Sequence, residues 1–178
     1  MDVLVSAASI WPSWLVSQER YEPLTNNDVL RRLRYILELS EEKVIEIFSF
    51  ADKTVEKGQV EQWLKSEDHK DFLPCDDLTL ATFLNGLIID MRGRKEGPQP
   101  EPEKQLNNNI ILRKIKIAFD LKNEDMLAIL DKARFKVSKH EITAFFRKVG
   151  HKHYRQCQDQ VLRYFLSGLQ KMASEPSL

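Results

Sequence analysis

Apolar residues recur every three or four positions along most of the chain, which is the spacing of amphipathic α-helices. The stretch 24–39, LTNNDVLRRLRYILEL, returns 82 positions later as the stretch 106–121, LNNNIILRKIKIAFDL. The apolar stripe of each is Val29, Leu30, Leu33, Ile36 and Leu37 in the first, and Ile111, Leu112, Ile115, Ala118 and Phe119 in the second. The pattern therefore predicts one helical unit present twice.

The correspondence continues without a gap through three further predicted helices. His69, Cys75, Asp77 and Gly86 return at the same offset as His151, Cys157, Asp159 and Gly168. In the first copy the second helix begins at a capping Ser40, and the others cover about 55–65 and 77–91. Gly86 and Gly168 lie mid-helix, where glycine is costly, so we expect each to mark a close helix crossing.

The predicted fold class is all-α, with two tandem pseudo-symmetric four-helix repeats packed together. We assign 24–93 to repeat one, 94–105 to a proline-rich and charged linker, and 106–172 to repeat two. Residues 1–23 form an N-terminal extension, whose Trp11 and Trp14 we expect to dock on the body, and 173–178 a tail. Proline and charge alternate in the linker, which favours an extended, solvated segment. Each repeat is near the size at which a domain is marginal alone.

Composition and charge narrow the class of protein. The chain is 42% hydrophobic and 30% charged, as in a folded domain, and it contains no apolar run of membrane-spanning length. We therefore expect a cytoplasmic protein without a membrane partner. Net charge is zero, yet Lys and Arg number 9 against 14 Asp and Glu in residues 24–93, and 14 against 6 in residues 106–172. Repeat one is thus acidic and repeat two basic. This difference favours attraction of an anionic partner to repeat two or association between copies, and the alternative is simple divergence of solvated surfaces.

Cations occupy equivalent outward positions of the two first helices. They are Arg31, Arg32 and Arg34 in repeat one and Arg113, Lys114 and Lys116 in repeat two, with Tyr35 and Ile117 beside them. The second and third helices have the cadence of a helix-turn-helix, and in repeat two Lys139, His140, Thr143, Arg147 and Lys148 would face outward. Apart from His140 and Thr143, these residues are the candidate partner-binding set, with ordinary solvated helix surface as the alternative.

The loop SEDHKDFLPCDD contains ligand-type side chains, but the repeat argues against chemistry there. Repeat two keeps His151, Cys157 and Asp159 but has Val149 and Gly150 in place of Glu67 and Asp68. No zinc spacing is present. Packing explains the shared set, so we expect no metal, no cofactor and no catalytic Cys–His pair.

Several motifs together resemble the YehS-like family, an uncharacterised family of mainly gammaproteobacterial cytosolic proteins. They are TNNDVLRRLRYIL, WLKSED, FLNGLI followed by MRGRKEG, LNNNIILRKIKIAF and HKHYRQCQDQVLRYFLSGL, which together span about 24–172. The resemblance implies a duplicated helical domain in a bacterial cell and supplies no activity or catalytic residue.

From the residues themselves we expect a non-enzymatic regulatory or adaptor protein. Its basic helical face would bind an anionic partner, either a nucleic acid or an acidic protein surface. The alternative is a self-associating or protein–protein scaffold, in which the acidic half of one copy docks on the basic half of another and forms a homo-oligomer.

Overall fold

A computed structural model describes residues 23–175; Trp11 and Trp14 therefore lie outside the described residues. Within this range the chain forms eight helices and no strand. Repeat one contains α1 (Asn26–Ile36), α2 (Glu41–Phe50), α3 (Lys57–Leu64) and α4 (Asp77–Arg92). Repeat two contains α5 (Asn108–Ala118), α6 (Asn123–Lys132), α7 (Lys139–Phe145) and α8 (Asp159–Ala173). The prediction of an all-α fold with a tandem repeat is confirmed.

Helix starts follow local capping chemistry. Thr25 caps α1 and forms a reciprocal capping box with Asp28, so this helix begins at Asn26. Ser40 accepts the Lys43 N–H at the start of α2, as expected. Asp77 is the first residue of α4, and its cap is Asp76.

The apolar stripes of all eight helices meet in one buried cluster. Its largest fully buried side chains include Phe48, Phe83 and Phe165. Within each repeat the second helix packs on the fourth: α2 on α4, and α6 on α8. Met91, near the end of α4, is 38% exposed although its spacing continues the apolar stripe of that helix. It follows the last buried turn of α4, where periodicity continues but the packing partner does not.

Gly86 and Gly168 lie where these helix pairs cross. A Cβ on Gly86 would lie 1.9 Å from the Ile47 carbonyl oxygen, and one on Gly168 would lie 1.9 Å from that of Ile129. Both neighbouring atoms belong to the backbone, so they cannot swing aside. The prediction that each glycine is a packing point is confirmed.

The repeats exchange contacts through their first and last helices. The first helix of repeat two, α5, packs on α4 of repeat one, and α1 of repeat one packs on α8 of repeat two. These two crossings are equivalent under the duplication. Each repeat thus completes its core with a helix from the other, which is the mutual support that their small size demands.

The linker is less solvated than the sequence suggested. Asn85 donates to the Pro100 carbonyl at 3.1 Å, and Lys114 Nζ lies 2.8 Å from Glu103 Oε2. Pro102 and Glu103 are partly buried as a result. The proline-rich segment therefore crosses the α4–α5 contact as a strap, because a buried cation and an amide are available there to hold it.

Candidate functional site

The candidate cations do not share one face. The prediction that Lys114 binds a partner is wrong, since this side chain is only 7% exposed. Its ammonium donates to Asn85 Oδ1 and pairs with Glu103, so it holds the linker against α4. Helical periodicity places Lys114 on the side of α5 that faces away from the core of repeat two. Repeat one covers that side. Lys114 is part of the repeat interface and is unavailable to a partner.

The cations of α1 make contacts within repeat one or are partly buried, and none of them lies on the surface of repeat two. Arg31 donates to the Lys65 carbonyl and pairs with Asp28 at 2.7 Å. Burial acts to raise the pKa of Asp28, but the hydrogen bonds from Arg31 and Thr25 together outweigh burial, so this pKa lies below its ordinary value. Arg32 is half-buried at the position equivalent to Lys114. Arg31 therefore serves mainly to fix α1 against the end of α3.

Arg34 and Tyr35 lie in a cleft between the C-terminal ends of α1 and α8. The cleft has a volume of about 350 Å³, and Gln170, Ala173 and Ser174 line its other side. At the equivalent place beside α5, an Arg92–Asp120 ion pair at 3.2 Å joins the two repeats. Tyr35 is 65% exposed there, as its outward position predicted.

The cations of α5 lie beside the end of α7. Arg113 is exposed and donates to the Phe146 carbonyl at 3.2 Å. Lys116 donates to the Leu121 carbonyl at 2.7 Å, and its ammonium lies 5.6 Å from the centre of the Phe146 ring, within range of a cation–π contact. Ile117, 46% exposed, stands next to them.

The exposed cations of α7 and of the loop that follows complete this surface. We call it the basic surface; its members are Arg113, Lys139, Arg147, Lys148, Lys152 and Arg155, and all are exposed. The loop folds back on α7, because the N–H groups of Arg147 and Arg155 both donate to the Ala144 carbonyl. Sequence reasoning missed Lys152 and Arg155, although their place in a cation-rich loop could have indicated them.

Few acids offset this charge. Residues 139–155 contain five Lys and Arg and one acid, whereas the equivalent residues 57–73 contain three and four. Lys139 pairs with Glu124 at 2.8 Å, a contact that lowers the pKa of Glu124, but both side chains are well exposed and such a pair is weak. The side chains of Arg147, Lys148 and Lys152 make no hydrogen bond or ion pair within residues 23–175.

A shallow groove lies next to the basic surface, between α5, α6 and α7. Its volume is about 220 Å³ and its walls are mainly apolar. It is lined by Arg113, Lys116, Ile117, Asn123, Thr143 and Phe146. Asn123 and Thr143, 3.5 Å apart, supply its polar groups.

The two loops that carry the shared His, Cys and Asp residues are held in place by a buried asparagine in each repeat. The amide of Asn27 donates to the Trp63 and Leu73 carbonyls, and its oxygen accepts the Cys75 N–H, each at 2.9 Å. Asn109 makes the same three bonds in repeat two, to Phe145, Arg155 and Cys157. Sequence reasoning missed both, although an asparagine retained at a buried stripe position in each copy was the available signal.

The thiols are unsuited to nucleophilic work. Burial, with nearby carboxylates as a smaller contribution, raises the pKa of Cys75 and of Cys157 to about 12. Each is therefore a neutral thiol near pH 7. Among residues 23–175 no group of three or more His, Cys, Asp or Glu side chains is arranged to hold a metal ion. Nor is any helix in this range both long and apolar enough to cross a bilayer.

The fold defines the class of this protein, which is a duplicated all-helical protein with two copies of one four-helix domain. Residues 26–93 and 108–173 each match the family described as "Protein of unknown function (DUF1456)", so the chain belongs to that family. It is similar to "Uncharacterized protein YehS" of Escherichia coli (strain K12), with 46% identity over 147 residues, 82% of this chain and 94% of the relative. The expected family resemblance is thus confirmed. No solved structure matches the chain significantly.

Proposed function

We propose that this protein is a non-enzymatic adaptor or regulator that binds an anionic partner through the basic surface of repeat two. The partner is a nucleic acid or an acidic protein surface. The supporting observation is the set of exposed cations Arg147, Lys148 and Lys152, whose side chains are unpaired within residues 23–175. Unpaired surface cations attract anions without first breaking an internal contact.

The duplication supplies a reason to regard this charge as more than random surface. The two repeats keep their core residues, glycine crossings and loop-holding asparagines in register, yet the α7 loop differs strongly in charge from its counterpart after α3. Packing requirements are the same in both copies. The extra positive charge in repeat two is therefore not required for packing, which supports a role in binding.

Fluorescence anisotropy with labelled anionic probes tests the proposal. Duplex DNA, single-stranded RNA and an acidic peptide would each be titrated with the full chain across a salt series. We expect binding of at least one probe at low salt that weakens steeply as salt rises, since cation–anion contact dominates it. Failure of every probe to bind at low salt would remove this function.

A matched pair of charge reversals locates the surface. Lys152 and Lys70 are equivalent in the two repeats, and both are exposed. Lys152→Glu should weaken binding several-fold, whereas Lys70→Glu should leave it nearly unchanged. Equal losses from the two variants would indicate only an effect of net charge and would contradict an interface on repeat two.

Self-association is the second candidate, and the opposite charges of the two repeats favour it. The acidic repeat of one copy would meet the basic repeat of another. Light scattering at low and high salt tests it. Oligomers that dissociate as the salt concentration rises support this candidate, and a monomeric mass at every salt concentration excludes it.

A further inference from the structure

The groove beside the basic surface narrows the class of partner. At about 220 Å³ it is smaller than the 300–1,000 Å³ typical of small-molecule pockets, but it is of a size to admit one large apolar side chain. Ile117 and Phe146 form its apolar walls, and Ile117 is 46% exposed. A slot that admits one large side chain is the kind of pocket that an anchor residue of a partner protein fills.

The rim of the groove is positive. Arg113 and Lys116 line it directly, and Lys139 lies one helical turn before Thr143 on the same face of α7. Arg147 follows immediately after Phe146. A segment whose apolar side chain enters the slot would therefore place its flanking residues beside cations. Carboxylates at those flanks complement them.

Repeat one indicates what is specific to this groove. Glu41 and Glu61 stand at the positions of Asn123 and Thr143, and Asp28 stands at the position of Ile110 and neutralises Arg31. The same framework thus carries acids at all three of these positions in repeat one and at none of the three in repeat two. An acidic segment would be repelled by repeat one and accepted by repeat two.

The shape of the region favours a peptide over a nucleic acid. Helix α7 has seven residues, which is about 10 Å at 1.5 Å per residue, so it offers little length for a DNA groove. Nucleic-acid interfaces are strongly polar and positively charged, whereas this slot has mainly apolar walls. An apolar centre with a charged rim is the anatomy of a protein–protein contact.

We infer that the α5–α6–α7 groove docks a short acidic segment of another protein, with one large apolar side chain of that segment seated between Ile117 and Phe146. This inference rests on the proposed function, because it specifies the anionic partner. The carboxylates of the segment contact Arg113 and Arg147, and they compete with Glu124 for Lys139. The apolar side chain supplies selectivity among acidic partners.

The test compares two labelled peptides of identical charge. One carries a central phenylalanine between Asp and Glu residues, and the other carries alanine at that position. We expect the phenylalanine peptide to bind the full chain about tenfold more tightly, the order of effect of burying one large apolar group. Equal affinities would overturn the groove while leaving the proposed anion-binding function intact, and no binding of any anionic probe would overturn both.

Variants at matched positions separate the groove from general charge. Ile117→Ala should abolish the preference for phenylalanine, while Tyr35→Ala at the equivalent site of repeat one should retain it. Thr143→Glu introduces the side chain that repeat one tolerates as Glu61, and it should weaken binding of both peptides about tenfold. Thermal unfolding of each variant establishes that it is folded.

Two other outcomes would contradict this inference. Duplex DNA that binds more tightly than either peptide and is unaffected by Ile117→Ala would assign the surface to nucleic acid. If light scattering shows dimers and Ile117→Ala converts them to monomers, a second copy of this chain is the occupant of the groove.

Discussion

The carboxylate of Asp77 accepts the backbone N–H of Leu106 at 2.9 Å, so the first turn of α4 holds the segment that leads into α5. The other oxygen of Asp77 accepts from Asn26 of its own repeat at 2.8 Å. Asp159 repeats this arrangement with Leu24 at 2.9 Å and Asn108 at 2.7 Å. Two equivalent carboxylates thus join the repeats at the starts of their last helices.

This symmetry predicts a stability loss on removing either carboxylate. Asp77→Ala and Asp159→Ala should each lower the free energy of unfolding by about 2 kcal/mol, because a hydrogen bond to a charged group contributes about 1.5–3 kcal/mol. Urea unfolding followed by circular dichroism measures it. Glu67→Ala, at an exposed acid of the same region, is the control and should change little. Equal losses from all three would contradict the bridging role.

Most of the fold could be predicted from the sequence because of the internal repeat. A stripe of apolar residues identifies the side that each helix turns toward its own core, and the copies corroborate one another. Lys114 and the linker could not be predicted in this way. Periodicity states which side of α5 faces away from repeat two's core, but it contains no information on whether α4 and the linker cover that side.

The site shows the same division. The basic character of repeat two and the exposure of Arg113, Ile117 and Arg147 follow from charge counting and helical geometry. The groove does not, since it depends on how α6 and α7 approach α5, a relationship between elements distant in sequence. Comparison of the two repeats identifies what is specific to the groove, because Glu61 of repeat one occupies the position of Thr143 in repeat two.

The glycine crossings predict a strong and local effect on stability. Gly86→Ala should destabilise the fold by about 3 kcal/mol, the upper range of overpacking, because the added Cβ meets the Ile47 backbone. That loss corresponds to a fall in melting temperature of roughly 6–12 °C for a chain of this size. Calorimetry would show it, and Gly168→Ala should behave alike.

A third glycine provides the control for that experiment. Gly58 lies in the first turn of α3 with no atom within 4 Å of the position of an added Cβ. Gly58→Ala should leave stability unchanged or raise it by up to about 1 kcal/mol, since alanine favours helix. A similar destabilisation at Gly58 would show that the crossings are not the cause.

Lys114 predicts a separation between stability and binding. Lys114→Ala removes the ion pair to Glu103 and leaves the Asn85 oxygen without its donor, which should cost about 2 kcal/mol. Because the side chain is buried at the repeat interface, affinity for an anionic probe should not change. Arg32→Ala, at the equivalent and half-buried position, should destabilise less. Loss of affinity in folded Lys114→Ala would restore Lys114 to the binding surface.

The buried thiols predict how stability depends on pH. Because burial raises the pKa of Cys75 and Cys157 to about 12 from an ordinary value of 9.0, the native state keeps protons that the unfolded state loses above pH 9. Their contribution is complete below pH 9 and is lost as pH rises toward 12, at about 1.4 kcal/mol per pH unit for each thiol. Urea unfolding at pH 8, 9 and 10 should therefore show a steeper decline for the natural chain than for a Cys75→Ala, Cys157→Ala double variant. Parallel declines would mean that the thiols already ionise in the native state, and iodoacetamide labelling of the folded protein at pH 8 provides an independent check, with little modification expected before unfolding.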